Sequence, residues 1–311
     1  MSEKKKNSVN AEDLEILGEE GKQYVEIDGV KIRLARPMDL PFKWVGNRKL
    51  VDQMKSCWFT AGPGDLPMSP RLVGKPGTGK TVLAYSVGKM MEVPVFFFQA
   101  TSDTRPNDVL INTVIIETGA ETSKVEYFAS TLISAMILGG VCVFDEGNRM
   151  QEKAWASLAP LLDSRRYIES IEVGCLIKAH PNFRFVSTMN DDASCFELPE
   201  YIKSRLQPTI MVDNPDRSEE RRILEANLPH TAPIILDYVA DFLELAHRAD
   251  ERYTVREGIH IANYAGKLVN YEAECGREMD PGDAVIISVE QILGVRQARY
   301  IKRVLWEERA A

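Results

Sequence analysis

The chain has no apolar run long enough to cross a bilayer, no C-x-x-C pair, no internal repeat, no low-complexity tract and no excess of positive charge. Each absence removes a class of function. Residues 1–10 are rich in lysine and asparagine with no apolar stretch behind them, so they read as neither a signal peptide nor the start of a span. Five cysteines (Cys57, Cys142, Cys175, Cys195 and Cys275) are odd in number and far apart, with no histidine at zinc-like spacing. That argues against a disulfide framework or a zinc site and fits reduced thiols in a cytoplasm. A formal charge of -8 disfavours binding through a general basic face, which makes nucleic acid an unlikely partner. What remains is a globular chain, 44% hydrophobic and 27% charged, long enough for one large domain or two modest ones.

One segment is far more specific than composition. Gly74-Lys75-Pro76-Gly77-Thr78-Gly79-Lys80-Thr81 reads G-x-x-x-x-G-K-[ST]. Polyphosphate needs backbone N–H donors at close approach, which glycines permit. It also needs a lysine to span the outer phosphates and a hydroxyl for magnesium. All three occur in register, with a short strand predicted before the loop and an amphipathic helix after it, so that a helix N-terminus points at the anion. ATP and Mg2+ are the expected ligands, with Thr81 on the metal.

From residue 41 to 213, apolar runs alternate with helical patterns, as a parallel sheet with crossover helices requires. Strands are predicted at 71–73, 93–98, 141–144, 183–187 and 209–212, several apolar on both parities. Residues 214–311 predict an all-helical domain with helices at 217–228, 234–249, 255–271 and 289–306. Residues 1–40 form a tail and extension: 1–22 reads as a frayed leader with a helical tendency at 11–17. Runs at 24–27 and 30–34 around Asp28-Gly29 predict a β-hairpin, placed beside the core or at a subunit contact. The fold class is α/β, a P-loop αβα core followed by helices.

The predicted strand Val141-Cys142-Val143-Phe144 empties into Asp145 and Glu146, at the sheet edge where open α/β folds bind ligands. Asp145 would hold magnesium through water and Glu146 would polarise the attacking water; a strand ending in solvated acids is the alternative. The strand around 183–187 delivers Asn190 to the same edge, either to orient water or as a loop asparagine. Arg205 ends a short helix, as a surface residue or as a finger reaching a neighbour's phosphate.

These residues together resemble the AAA+ ATPases, and within them the MoxR family and its CbbQ, NorQ and gas-vesicle N-type branch, over about residues 43–267. Asp145-Glu146-Gly147-Asn148-Arg149 matches the family's D-E-x-N-R, and residues 161–170 its following phrase. The resemblance makes Asn190 the sensor 1 residue and Arg205 the trans-acting arginine, with Ser204 where an aspartate is usual. Thr254-Val255-Arg256 matches the sensor 2 motif, which implies that Arg256 contacts the γ-phosphate and couples the angle of the helical lid to nucleotide state. Runs at 112–117 and 124–128, and at 166–172 and 175–179, are similar to the family's two inserted hairpins, which face a pore or partner. Two ordinary edge hairpins are the alternative. An arginine acting in trans implies a homo-oligomeric ring, a hexamer in this reading. The family implies a von Willebrand factor A domain partner and a client protein to be remodelled.

Two rivals stand beside this ATP-driven machine. One is a nucleotide-controlled binding module or defence switch in which occupancy is the signal; intact Glu146 and Arg205 favour turnover. The other is a nucleic-acid motor, which the acidic balance disfavours. No N-K-x-D segment indicates guanine, and a metabolic kinase rarely needs sensor, finger and helical lid together.

Overall fold

The computed structural model describes residues 8–19, 22–41, 43–119, 122–171, 174–191 and 196–310. Cys195, residues 1–7 of the expected leader and residues 172–173 of the second expected hairpin lie outside them. In chain order the elements begin with β1 (Ser8–Asn10), β2 (Leu17–Glu19), β3 (Lys22–Ile27), β4 (Val30–Arg33), α1 (Arg48–Trp58), β5 (Arg71–Gly74), α2 (Lys80–Met90) and β6 (Val95–Gln99). Next come β7 (Ile111–Gly119), β8 (Thr122–Ala129), α3 (Thr131–Leu138), β9 (Val141–Asp145), α4 (Glu152–Leu158), β10 (Tyr167–Ser170), β11 (Cys175–Lys178), β12 (Arg184–Asn190), α5 (Glu200–Lys203) and β13 (Thr209–Met211). The chain closes with α6 (Arg217–Asn227), α7 (Pro233–Arg248), α8 (Val255–Glu274), α9 (Pro281–Ile292) and α10 (Ala298–Ala310). Two compact units result. One holds residues 1–43, 49–74 and 80–211; the other holds 44–48, 75–79 and 212–311.

The first unit is built on a five-stranded sheet of order β13-β5-β12-β9-β6, parallel throughout. Val141, Cys142, Val143 and Phe144 are wholly buried, because a parallel sheet packed by crossover helices hides both faces of a strand. Phe144 anchors the packing, stacked on Phe98 at 4.8 Å and tilted against Trp155 and Phe185. Such pairs add about 0.5–1.5 kcal/mol beyond their buried area. Helix α3 is apolar nearly all round and buried from Leu132 to Ile137. Ser130 caps it by accepting the Ile133 N–H at 3.1 Å.

The N-terminal region departs from the expected leader. Residues 11–13 form a single 3-10 turn in place of a helix, and Ala11 is 3% exposed. β1 pairs in parallel with β11, making a three-stranded sheet with β10. The expected hairpin forms as β3 and β4, and β4 pairs in parallel with β8 to give a second five-stranded sheet, β2-β3-β4-β8-β7. The three-residue β1 carries no readable period, and the free edge of β11 supplies its partner, as that of β8 does for β4.

The second unit is helical outside its short segments. In α7, Ile235, Leu236, Val239, Phe242 and Leu243 recur at helical spacing and meet Leu224, Ile261, Val285 and Ile301 in one core. The single helix expected over 289–306 is two: α9 starts at Pro281 and ends at Ile292, and α10 begins only at Ala298. Gly294 breaks it at φ +105, a conformation open to glycine. Among the described residues no helix is long and apolar enough to cross a membrane.

Candidate functional site

In the first unit, four strands of the parallel sheet end side by side. Register pairs Asn190 with Gly74 and Gln99 with Asp145, so β5, β12, β9 and β6 deliver polar residues to one edge. Lys80, the first residue of α2, is buried, and its Nζ donates to the Gly74 carbonyl at 2.9 Å. A buried ammonium at a helix N-terminus fits an anion. Thr81 Oγ1 donates to Asp145 Oδ1 at 2.8 Å. A hydroxyl and a carboxylate converging in this way suit a hard cation such as Mg2+, which takes one or two protein oxygens and completes its shell with phosphate and water.

Glu146 sits in the left-handed region at φ 53, unusual for a side chain of this size. Three side chains engage its carboxylate. Asn190 Nδ2 donates to Oε1 at 3.2 Å, Gln99 Nε2 to Oε2 at 3.2 Å, and Arg149 Nε lies 2.8 Å from Oε2. Asn190 is itself held through its carbonyl, which accepts from Asn148 Nδ2 at 2.7 Å.

Thr188 and Gln99 escaped the sequence reading. Thr188 Oγ1 donates to Asp145 Oδ1 and accepts the Glu146 N–H at 3.2 Å, so one hydroxyl fixes both acids. The available signal was parity: Thr188 lies two residues before Asn190 and so shares its face of β12. Gln99 is the polar end of an otherwise aromatic strand.

In the second unit, residues 75–79 of the phosphate loop pack with residues 44–48 and the start of α8. Gly77 has φ +87, and a Cβ there would lie 2.2 Å from Thr254 Oγ1 and 3.2 Å from Arg256 Cβ. Glycine is required on both counts. A Cβ on Gly79 would meet the Trp44 ring at 3.2 Å. Thr254 donates through its N–H (2.8 Å) and its hydroxyl (2.7 Å) to Glu257, fixing the first turn of α8 and with it Arg256.

Arg205 bonds none of the sheet-edge residues. It lies two residues beyond α5, its Nε 3.1 Å from Asp163 Oδ2 and its Nη1 donating to the Tyr201 carbonyl at 2.6 Å. Among the described residues no cluster of three or more His, Cys, Asp or Glu could hold a metal ion.

Comparison with known proteins bears on the fold that carries these residues. Residues 71–206 match the family model of the AAA domain (dynein-related subfamily), from the first residue of β5 to just past Arg205. Uncharacterized proteins from two Staphylococcus aureus strains are each 28% identical over 143 residues, 45% of this chain and 54% of theirs. The chain thus spans about half the length of the curated relatives it matches. Among solved structures, a Thermotoga maritima RuvB variant superposes with TM-score 0.55 at 15% identity, covering 79% of this chain and 70% of that one. The RuvB Holliday junction branch migration motor of the same organism gives TM-score 0.51 at 15% identity, covering 78% and 67%. Residues 71–206 are thus similar to the AAA domain, and the protein has the AAA+ P-loop fold, a parallel sheet with a helical C-terminal part.

Proposed function

We propose that this protein is a MoxR-type ATPase that hydrolyses ATP as a homo-oligomeric ring and uses the cycle to remodel a client protein. The observation that carries the reading is the convergence of Lys80, Thr81, Asp145, Glu146 and Asn190 at one sheet edge. A nucleotide-binding module has use for the first three. A carboxylate poised by an amide from the neighbouring strand has its use in positioning water.

In this reading, backbone N–H groups of Gly77, Thr78 and Gly79 and the Lys80 ammonium bind the phosphates. Magnesium, held by Thr81 and through water by Asp145, would draw charge off the phosphate oxygens. Glu146 accepts a hydrogen bond from the attacking water, which Asn190 orients for in-line displacement. Arg256, beside Gly77, would meet the γ-phosphate of its own chain, and Arg205 that of a neighbour. Hydrolysis then depends on assembly, and a six-membered ring follows the MoxR pattern. The hairpins β7–β8 and β10–β11 would face the client, and a von Willebrand factor A domain protein would deliver it. The branch migration named for RuvB belongs to that protein; a chain of net charge -8 offers little for DNA phosphates.

Two experiments test the reading. Glu146→Gln should retain ATP while losing hydrolysis by a factor of about 100 or more, since a general base contributes about 10²–10⁴-fold; full biological activity in that variant would favour an occupancy switch instead. Mixing Arg205→Ala with Lys80→Ala subunits should restore turnover at mixed interfaces. Intact rings with no recovery would remove the trans role of Arg205.

A further inference from the structure

Asp163 lies after α4, 42 residues from Arg205, and its carboxylate is shared by two arginines. Arg165 takes it with a fork, Nε to Oδ1 at 3.0 Å and Nη2 to Oδ2 at 2.8 Å, and adds its backbone N–H to Oδ1 at 3.0 Å. Arg205 donates Nε to Oδ2 at 3.1 Å. The Asp163 side chain is 20% exposed and that of Arg205 26%, against 49% for Arg165. Asp163 and Arg205 line an open cleft of about 290 Å³ with Ser164, Arg166, Ser204 and Gln207.

A guanidinium offers five N–H donors in a rigid fork. Arg205 spends Nε on Asp163 and Nη1 on the Tyr201 carbonyl, while Nη2 has no hydrogen-bond partner among the described residues. The charge count matters as much as the geometry. One carboxylate faces two guanidiniums, and Arg165 already takes both its oxygens in a bidentate pair, so a net positive charge remains on the Arg205 side. An arginine ordered in advance also loses less side-chain freedom when it meets an anion.

We propose that Asp163 is a positioning residue for Arg205, fixing the guanidinium through Nε so that Nη2 is presented to a phosphate oxygen on a neighbouring subunit. This rests on the reading of Arg205 as an arginine that acts in trans. Asp163 bonds none of Lys80, Thr81, Asp145, Glu146 and Asn190; it acts through Arg205.

The test is a double-mutant cycle on the full chain, with steady-state ATP hydrolysis as the readout and sedimentation velocity in ATP to follow assembly. Asp163→Ala should lower kcat about ten- to a hundredfold, with KM within about twofold and assembly unchanged. Asp163→Asn, isosteric and uncharged, should fall between Asp163→Ala and wild type. It carries the same comparison should the alanine variant fail to fold. Combined with Arg205→Ala, either Asp163 variant should add no further loss, because its effect runs through a side chain already gone. Losses that multiply in the double variant would overturn the proposal and leave Asp163 a structural tie. So would an unchanged kcat in both Asp163 variants while Arg205→Ala is inactive. Full turnover in Arg205→Ala itself would instead remove the trans-arginine reading, and this proposal with it.

Discussion

Glu220 shows how a single side chain can set the pH range of a fold. It is fully buried on α6, and neither carboxyl oxygen has a hydrogen-bond partner among the described residues. Burial, with Asp216 and Glu244 adding like charge, pushes its pKa up to about 8. The nearest cationic candidate is His247 on α7, with Nδ1 3.7 Å from Oε1, while its Nε2 lies 2.7 Å from the Tyr253 carbonyl. In the unfolded chain the carboxyl loses its proton in the ordinary glutamate range; in the folded chain it keeps the proton to about pH 8. The unfolded state therefore binds fewer protons between those limits. Stability is full at low pH and falls as pH rises toward 8, by an amount on the order of a few kcal/mol. Thermal melts of Glu220→Gln should lie above those of the natural chain at pH 8 and stay flat where the natural chain declines from pH 5 to 8. A parallel decline in both would exclude Glu220 as the source. The residue scale is also where the sequence was most and least legible. Lys80, Thr81, Asp145 and Glu146 announce themselves by motif spacing. Thr188 does not, since a threonine in a strand is ordinary until its hydroxyl is seen to bridge two acids.

Among the elements, the N-terminal strands show what local pattern hides. β1 has three residues and no alternation, and its stability comes from the edge of β11. β3 and β4 were legible because a D-G turn sits between alternating runs, yet the pairing of β4 with β8 joins segments about a hundred residues apart, which no window of sequence contains. Ile32 and Val25 are wholly buried in the same core as Ile133 and Phe144, and the Ala35 N–H donates to Ser134 Oγ at 2.8 Å. The segment thus adds one strand to the β10–β11 hairpin and three to the sheet of β7–β8, and ties both to one core. Deleting residues 1–10 should strip β11 of its outer neighbour. Hydrogen exchange in Cys175–Lys178 should then quicken by about tenfold or more, with β12 keeping its protection. Unchanged exchange in β11 would mean that β1 contributes nothing to holding that hairpin.

At the scale of the whole molecule, alternating apolar runs and helical patterns made the parallel sheet readable, and the crossover rule left few ways to assemble it. The second unit was readable as helical but not in its joints, because one glycine at φ +105 decides whether 289–306 is one helix or two. Under the proposed function the unit of chemistry exceeds one chain. Lys80, Asp145, Glu146 and Asn190 form a set through direct bonds and strand register, while Arg205 is tied elsewhere, to Asp163 and Tyr201. On that proposal, a site completed by a second copy makes specific activity a function of concentration, because the dilute chain would bind nucleotide yet lack its arginine. Hydrolysis per chain should rise steeply from nanomolar to micromolar protein and then plateau as assembly saturates, a mass-action dependence that a self-contained site lacks. Arg205→Ala should bind ATP as the natural chain does and stay low across the whole range. Constant specific activity down to concentrations at which sedimentation finds only monomer would place the complete active site within a single chain.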